Sequence, residues 1–293
     1  MVTFSYIIPT YNRYKELKET VQSVLNQCTD IEFEVIIVDD GSTDDTLHIK
    51  DYFNDPRIKY FYQENSGVSI ARNTGYKYSN GIFVIFLDSD DLVTKNQLAI
   101  FSKYIQKEPC FDIYLTSYCY WNSSNQQQKP RKNIKQGEYK NFFSDFIAGV
   151  QPCFSGCLCI RRNILSNRDY IFEPGCNFGE DQKLWIDIFQ NYKVFSSSEI
   201  TMLYRVNSEE SLSKRKIKKL PPDIKYSHGM HSYNSELYCL HRLTTFTILS
   251  IKNLSLSLLS EIITFCIKNK IVLKYLKTLY MYIKNKYLLH GKK

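Results

Sequence analysis

Apolar runs and helically spaced apolar positions alternate through the first half of the chain. Phe4-Ser5-Tyr6-Ile7-Ile8 reads as a strand stopped by Pro9, and Tyr14 to Gln27 as a helix turning Leu17, Val21, Val24 and Leu25 inward. Glu34-Val35-Ile36-Ile37-Val38 is a second strand, apolar through its centre and therefore central in its sheet. Asp39-Asp40-Gly41-Ser42 turns out of it, and Ser42 or Thr43 caps a helix reaching about Phe53. Ile58-Lys59-Tyr60-Phe61 forms a more exposed strand, Ser69 to Tyr78 a helix, and Ile82 to Leu87 a buried strand rich in β-branched and aromatic residues. This alternation predicts an α/β protein with a parallel sheet covered on both faces.

The pattern then changes twice. Trp121 to Lys135, with Asn122-Ser123-Ser124-Asn125 and three consecutive glutamines, reads as a polar excursion. The double proline of Lys219-Leu220-Pro221-Pro222 marks a boundary, and from about Ser235 everything reads as helix. In the last segment Val272, Leu276, Leu279, Ile283 and Tyr287 form one stripe and Lys270, Lys274, Lys277 and Lys284 another. Both a helix lying on an anionic membrane and a terminal helix docked with a solvated lysine face fit that pattern.

Composition narrows the picture. Hydrophobic content of 43% and charged content of 23% are ordinary for a globular chain, whereas 15% aromatic, with 23 tyrosines, is high. The net charge of +8 is concentrated in Lys214-Arg215-Lys216 with Lys218-Lys219 and in the lysines after position 268, which suggests an anionic partner such as a membrane surface. Nine scattered cysteines, without a Cys-x-x-Cys pair or a secretory signal at Met1-Val2-Thr3-Phe4, read as packed, reduced cytosolic thiols and not as a zinc site. Leu254 to Ile267 is too short and too interrupted to span a bilayer, so the chain is expected to be soluble or peripheral. The five histidines, His228 and His231 included, gather no ligand set.

Candidate chemistry gathers at the strand ends. Thr10-Tyr11-Asn12-Arg13, Asp39-Asp40, Asn65-Ser66-Gly67 with Arg72, and Asp88-Ser89-Asp90-Asp91 are all delivered to one edge of a parallel sheet, where such folds keep their ligands. Their types suit a nucleotide: Asp39 can accept from a base edge, Tyr11 can stack on its face, Gly67 lets backbone approach, and Arg72 can take a phosphate bidentately. Three carboxylates within Asp88 to Asp91 repel one another, and a divalent cation or solvent would relieve that crowding. Taken singly, each feature has an ordinary reading: a solvated turn, a surface ion pair, a helix cap.

Together they resemble one family. Ile7-Ile8-Pro9-Thr10-Tyr11-Asn12, Val38-Asp39-Asp40-Gly41-Ser42-Thr43-Asp44, Asn65-Ser66-Gly67 with Ala71-Arg72-Asn73, and Phe86-Leu87-Asp88-Ser89-Asp90-Asp91 resemble the family 2 glycosyltransferases of GT-A fold, over roughly residues 4 to 215. The resemblance implies a nucleotide-sugar donor, usually a UDP-sugar, a Mn or Mg ion, and transfer with inversion at the anomeric carbon. Carried over by position, Pro9, Thr10, Tyr11, Asn12, Asp39, Asn65, Gly67, Arg72, Asp88 and Ser89 would line the nucleotide-sugar site. Within it Thr10 and Asp39 would contact the uracil and Arg72 the diphosphate region. Asp90 would hold the metal, and Asp88 the ribose or the metal. The family's base resides in a Glu-Asp pair, here Glu180-Asp181, with Asp181 preferred. Both precede the periodic run Leu184, Ile188, Phe189 and so fall in the first turn of a helix. Gln151 to Arg162 resembles the segment walling the acceptor side. Tyr204-Arg205-Val206-Asn207, followed by Ser211-Leu212-Ser213, resembles an element that often reads Tyr-Arg-x-His; Asn207 in place of the His weakens a metal role there.

The expectation is therefore a GT-A domain over residues 1–219 and a basic helical extension over 220–293. Its activity would be transfer of a hexose or N-acetylhexosamine from a UDP-sugar to a lipid-linked or growing bacterial surface glycan, of O-antigen, capsule or lipooligosaccharide type. An undecaprenyl-diphosphate-linked saccharide fits as acceptor, nucleic acid is not expected as a partner, and a cytoplasmic place on the inner face of the membrane fits the basic end. Two rivals stand beside it. A nucleotidyltransferase should carry a glycine-rich, basic loop after its first strand, which Pro9-Thr10-Tyr11-Asn12 is not. A nucleotide-binding module without catalysis would release no UDP from a UDP-sugar.

Overall fold

The computed structural model describes residues 2–122, 124, 126–131, 134–176, 178–206, 219–230, 232–253 and 255–290. Asn207, Ser211-Leu212-Ser213, the basic run Lys214-Arg215-Lys216 with Lys218, and His231 lie outside the described residues. Strands β1 (Phe4–Thr10), β2 (Phe33–Asp39), β3 (Ile58–Tyr62) and β4 (Phe83–Phe86) run parallel in the order β3-β2-β1-β4. Parallel neighbours need crossovers, supplied by α1 (Tyr14–Leu25), by a 3-10 turn with α2 (Ile49–Phe53), and by α3 (Val68–Tyr78). The expected α/β architecture is what the chain adopts.

Beyond β4 the sheet becomes mixed, a feature the apolar pattern did not disclose. The order continues β4-β9-β6-β10-β5, with β9 (Leu158–Arg161) antiparallel to both β4 and β6 (Ile113–Asn122). Strand β10 (Val194–Arg205) lies parallel to β6 and antiparallel to the short β5 (Leu92–Val93) and β8 (Gly137–Glu138).

Why the central strands are apolar throughout follows from their two covered faces. Ile7, Ile36, Val38, Val84 and Phe86 pack on one side with Ala71 of α3 and with Leu184 and Ile188 of α6 (Glu180–Asn191). Tyr6, Ile8, Val35, Ile37 and Ile85 pack on the other with Leu17, Val21 and Val24 of α1 and Leu98 and Phe101 of α4 (Gln97–Lys107). Gln97, although fully buried, is satisfied on every side: its carbonyl accepts from Tyr6 at 2.7 Å, and its amide donates to Gly156 O and Thr201 Oγ1, both at 2.9 Å.

Three local expectations are corrected. Pro9 does not stop β1, which runs on to Thr10. The Ile7 carbonyl accepts from Leu87 N on the β4 side and the Thr10 carbonyl from Asp40 N on the β2 side, so Pro9 faces β4, which has already ended. Its missing N–H therefore breaks no ladder bond. The cap after β2 is Asp44, accepting from Thr46 N at 3.1 Å, because Ser42 Oγ is already engaged by Asn12 N at 2.9 Å. Part of the polar excursion is strand: β7 (Gln127–Pro130) pairs with the end of β6 at Tyr120↔Lys129 and Trp121↔Gln128.

The C-terminal helices α7 (Pro222–Gly229), α8 (Tyr233–Lys252), α9 (Leu256–Lys268) and α10 (Val272–His290) enclose a core of their own, built on Ile224, Leu243, Phe246, Leu258, Ile262 and Tyr275. Phe178, from before the boundary, packs into it. Helix α10 docks through Tyr275 and Leu279, preceded by Ile271, with Tyr275 OH on Thr247 Oγ1 and Lys274 bonded to Glu236 at 2.5 Å. Its opposite side leaves Leu273, Leu276, Tyr280 and Ile283 exposed. Among the described residues no helix is long and apolar enough to cross a membrane.

Helix α3 crosses the sheet so closely at Gly75 that a Cβ there would stand 2.4 Å from Ile7 Cγ2 and 3.3 Å from Val38 Cγ2. Gly75→Ala is expected to lower unfolding free energy by about 1–3 kcal/mol through overpacking, despite the better helix propensity of alanine. Urea denaturation checks this, and an unchanged midpoint would show that Ile7 moves aside freely.

Candidate functional site

The parallel order β3-β2-β1-β4 places four loop ends at one edge, and hydrogen bonds lock them together. Thr10 and Asp39 are register partners at the ends of β1 and β2. The loop after β1 is tied to the loop after β2: Asn12 N donates to Ser42 Oγ, Thr43 N to Asn12 Oδ1 at 2.7 Å, and Tyr14 N to Asp44 Oδ2 at 3.1 Å. Asn12 takes φ +51 to make these bonds, a conformation asparagine tolerates. Asp40, whose role the sequence left unassigned, accepts from Gln63 Nε2 at 2.7 Å, Ser66 N at 2.9 Å and Gly67 N at 2.8 Å, and so fixes the loop that enters α3. Gly41 must stay bare, since its Cβ would meet Asn65 N at 2.8 Å and its φ is +83.

Within that frame the candidate residues differ sharply in access. Asp39 is fully buried; its Oδ1 accepts from Ser42 N at 2.8 Å and its Oδ2 from Tyr60 OH at 2.5 Å. Pro9 and Thr10 are buried beside it, and Thr10 Oγ1 has no hydrogen-bond partner among the described residues. Tyr11 is exposed, as a residue that stacks on a ligand must be, and Asn65 is exposed above Gly41. Ser89 is buried, its carbonyl accepting from Thr20 Oγ1 at 2.9 Å, which makes it a strut of the acidic loop in this structure.

The acidic loop is neutralised by arginines that converge on it from three distant elements. Arg13, at the start of α1, pairs with Asp90. Arg72, on α3, donates to Asp88 Oδ1 at 2.6 Å and to Glu180 Oε1 at 2.9 Å. Arg205, at the end of β10, donates through its backbone N to Asp91 Oδ1 at 2.9 Å, through Nε to the Asp90 carbonyl at 2.7 Å, and through Nη2 to Glu19 at 2.5 Å. Burial disfavours the charge on the Arg72 guanidinium, but Asp88 and Glu180 outweigh it and push its pKa above the usual value. Asp91 shows the reverse balance: burial first, then the charges of Asp90 and Asp88, push its carboxyl well above the usual carboxylate range.

Glu180 and Asp181 open helix α6, as their spacing predicted. Gly179 precedes them at φ +77, and a Cβ there would stand 2.6 Å from Asp223 Oδ1. Asp223, on α7, is fully buried and accepts from Tyr238 OH at 2.9 Å and Arg242 Nε at 2.8 Å. The helical extension thus buttresses the turn that presents the acidic pair. Asp181 keeps part of its surface open to solvent, yet its surroundings push its carboxyl up to about 7: burial is the largest cause, and Glu180 adds to it against the opposing charge of Arg72. That places its proton exchange where a general base works best.

Two functional elements escaped sequence reasoning. Arg13 belongs to the polar loop after β1 with no partner indicated, and Arg205 falls in the element that resembles Tyr-Arg-x-His with no role of its own. A basic residue next to a strand-end motif was the available signal for Arg13; nothing local to Arg205 announces that it grips residues 90 and 91. The segment around Gln151 to Arg162 lies beneath the acidic loop, where Phe154 stacks on Tyr204 with centroids 3.9 Å apart and a Gly156 Cβ would meet Leu87 at 2.7 Å.

As for a cation, the described residues contain no cluster of three or more His, Cys, Asp or Glu side chains that could hold one. Asp88 and Asp90 offer two carboxylates on one turn. That set suits a hard cation only when phosphate oxygens complete its shell, the usual arrangement for Mg with a bound phosphate.

Comparison with known proteins bears on family and fold. The sequence model of the family described as Glycosyl transferase family 2 matches residues 5–168. An uncharacterized glycosyltransferase of Rickettsia bellii is 35% identical over 186 residues, 63% of this chain and 26% of its own length. The poly(ribitol-phosphate) beta-N-acetylglucosaminyltransferase TarP of Staphylococcus aureus is 30% identical over 201 residues, 67% of this chain and 60% of its own. The chain therefore spans less than two thirds of the length of either curated relative. In fold it is similar to S. aureus TarS 1–349 crystallised with UDP-GlcNAc, with a TM-score of 0.67 at 24% identity over 83% of this chain and 72% of that one.

The raised Asp181 carboxyl has a consequence for stability. A group whose folded pKa lies near 7, above the 3.8 of an ordinary aspartate, makes the folded protein bind that proton more tightly than the unfolded chain does. Stability is therefore lost as pH rises from about 4 through about 7. Asp181→Asn removes that cost, so the variant is expected to melt higher than the parent at pH 8 and to lose the advantage near pH 4. Thermal unfolding of both proteins across that range checks the sign.

Proposed function

The chain belongs to glycosyl transferase family 2, and on that footing we propose that it transfers a hexose or N-acetylhexosamine from a UDP-sugar to a hydroxyl of a lipid-linked or growing surface glycan, with inversion. The observation that carries this reading is the Arg72 guanidinium, which bonds Asp88 and Glu180 at once and so brings the acidic loop and the start of α6 to one place. A donor diphosphate at the first and a base at the second would then address the same sugar. The UDP-GlcNAc named for TarS and the N-acetylglucosaminyl transfer named for TarP support a donor of that class.

In the proposed reaction Tyr11 stacks on the uracil while Asp39 and the unpartnered Thr10 hydroxyl meet its polar edge. Asn12, Asn65, Gly67 and Ser89 shape the loops around the donor. Asp90 and Asp88 would hold a Mn or Mg ion together with the diphosphate, and that ion would stabilise charge on the leaving phosphate. Arg72 stands at the diphosphate region, where its fixed positive charge favours the same developing anion. Asp181 takes the proton of the acceptor hydroxyl as its oxygen bonds to the anomeric carbon from the face opposite the phosphate. The bond to phosphate breaks, UDP departs with the electron pair, and the configuration is inverted.

The acceptor side of the proposal rests on helix α10. Leu273, Leu276, Tyr280 and Ile283 are exposed at three- and four-residue intervals, and Lys270, Lys274, Lys277 and Lys284 accompany them. Such a face suits an anionic membrane surface, on whose cytoplasmic side a lipid-linked acceptor would be met.

A panel of UDP-sugars scored for Mn-dependent UDP release tests the donor. Asp90→Ala is expected to abolish metal-dependent release. Asp181→Asn should cut turnover by at least about 100-fold while leaving UDP affinity unchanged, and turnover in the parent should rise with pH through about 7 as Asp181 ionises. Full turnover in the Asp181 variant would refute its role. Separately, sedimentation with phosphatidylglycerol vesicles is expected for the intact protein and not for Leu273→Asp with Leu276→Asp; equal binding to phosphatidylcholine would refute the electrostatic part.

A further inference from the structure

We propose that Arg13 is an internal counter-cation for Asp90, which yields that carboxylate to the divalent ion and passes to the donor's diphosphate, so that metal and nucleotide bind as a coupled pair. The inference rests on the metal reading given above and goes beyond it by assigning Arg13.

Four observations carry it. Arg13 Nη1 and Asp90 Oδ2 form a direct ion pair, with each side chain only 15% exposed. The carboxylate that would take the ion is thus already neutralised by a residue of the same chain, and a divalent ion and a guanidinium on one carboxylate repel each other. Second, Arg13 is the most accessible of the three arginines at this loop, since the side chains of Arg72 and Arg205 are 5% and 7% exposed. Third, the backbone on either side of Arg13 is pinned by the bonds of Asn12 to Ser42 and Thr43 and of Tyr14 to Asp44, so an exchange of partners requires the side chain alone to move. Fourth, Asp88 and Asp90 are only two ligands, so they hold the ion weakly until phosphate oxygens complete its shell, and that anion arrives beside the displaced guanidinium.

Charge balance then makes the two ligands interdependent. Metal alone must break the ion pair and leave Arg13 facing a divalent cation, which disfavours binding. Metal with UDP gives the guanidinium a new anion, and the cost disappears. Each ligand therefore strengthens the other, and by linkage the factor is the same in both directions.

The experiment is calorimetric titration of the full chain with Mn in the absence and presence of saturating UDP, without any sugar donor or acceptor. For the parent protein UDP should tighten Mn binding by roughly 30-fold or more, within the usual range of such couplings. Arg13→Gln should bind Mn alone roughly tenfold more tightly than the parent, and its coupling to UDP should shrink to a few-fold. Arg13→Lys, which keeps the charge, should retain most of the coupling and controls for simple loss of structure. An Arg13→Gln protein whose Mn affinity without UDP equals that of the parent overturns the role of Arg13 while leaving the metal reading intact. A parent protein that binds no Mn even with UDP overturns the metal reading, and the exchange with it.

Discussion

A buried guanidinium shared between two carboxylates from distant parts of the chain is the contact around which this site is built. Arg72 reaches the acidic loop at Asp88 and the start of α6 at Glu180, with its own side chain almost wholly removed from water. Ions so placed are tolerated only when every charge is matched, because an uncompensated buried charge costs several kcal/mol. The loop and the helix are therefore not independently adjustable: either one, displaced, would leave Arg72 partly unmatched. That constraint gives a substrate site rigidity across elements that no single hydrogen bond within a loop could provide.

The same electrostatic accounting separates residues that a motif lumps together. Asp88, Asp90 and Asp91 lie on a single turn, but Asp88 pairs with the Arg72 guanidinium, Asp90 with that of Arg13, and Asp91 only with the backbone N–H of Arg205. Asp91 is sealed in and structural, Asp90 is screened by Arg13, and Asp88 keeps an open side. Further along, Glu180 is held by Arg72, whereas Asp181 faces outward with a carboxyl poised near neutrality. Two adjacent acids thus acquire different protonation behaviour because one is bonded to a guanidinium and the other is not.

The helical extension contributes more than bulk. Its buried Asp223, matched by Arg242 and Tyr238, stands against the bare α-carbon of Gly179, and Phe178 is packed into the extension's core. The turn that presents Asp181 is thus clamped from outside the sheet. One end of the extension steadies the turn before Glu180 and Asp181, while α10 turns an apolar and basic face outward.

Reading the residues alone determined the alternation of strand and helix through β4, the delivery of four polar loops to one sheet edge, and the position of Glu180 and Asp181 in a first helical turn. These follow from periodicity and from the rule that parallel strands end together, and both are local properties of the chain. What only the folded arrangement decided was pairing at long range. The antiparallel insertion of β9, the passage of β1 through Pro9 and the arginines paired with Asp88 and Asp90 all depend on residues more than ten positions away. A carboxylate's neighbours in sequence say that charge must be compensated; which guanidinium compensates it is set by where the packed sheet brings α1, α3 and β10 together.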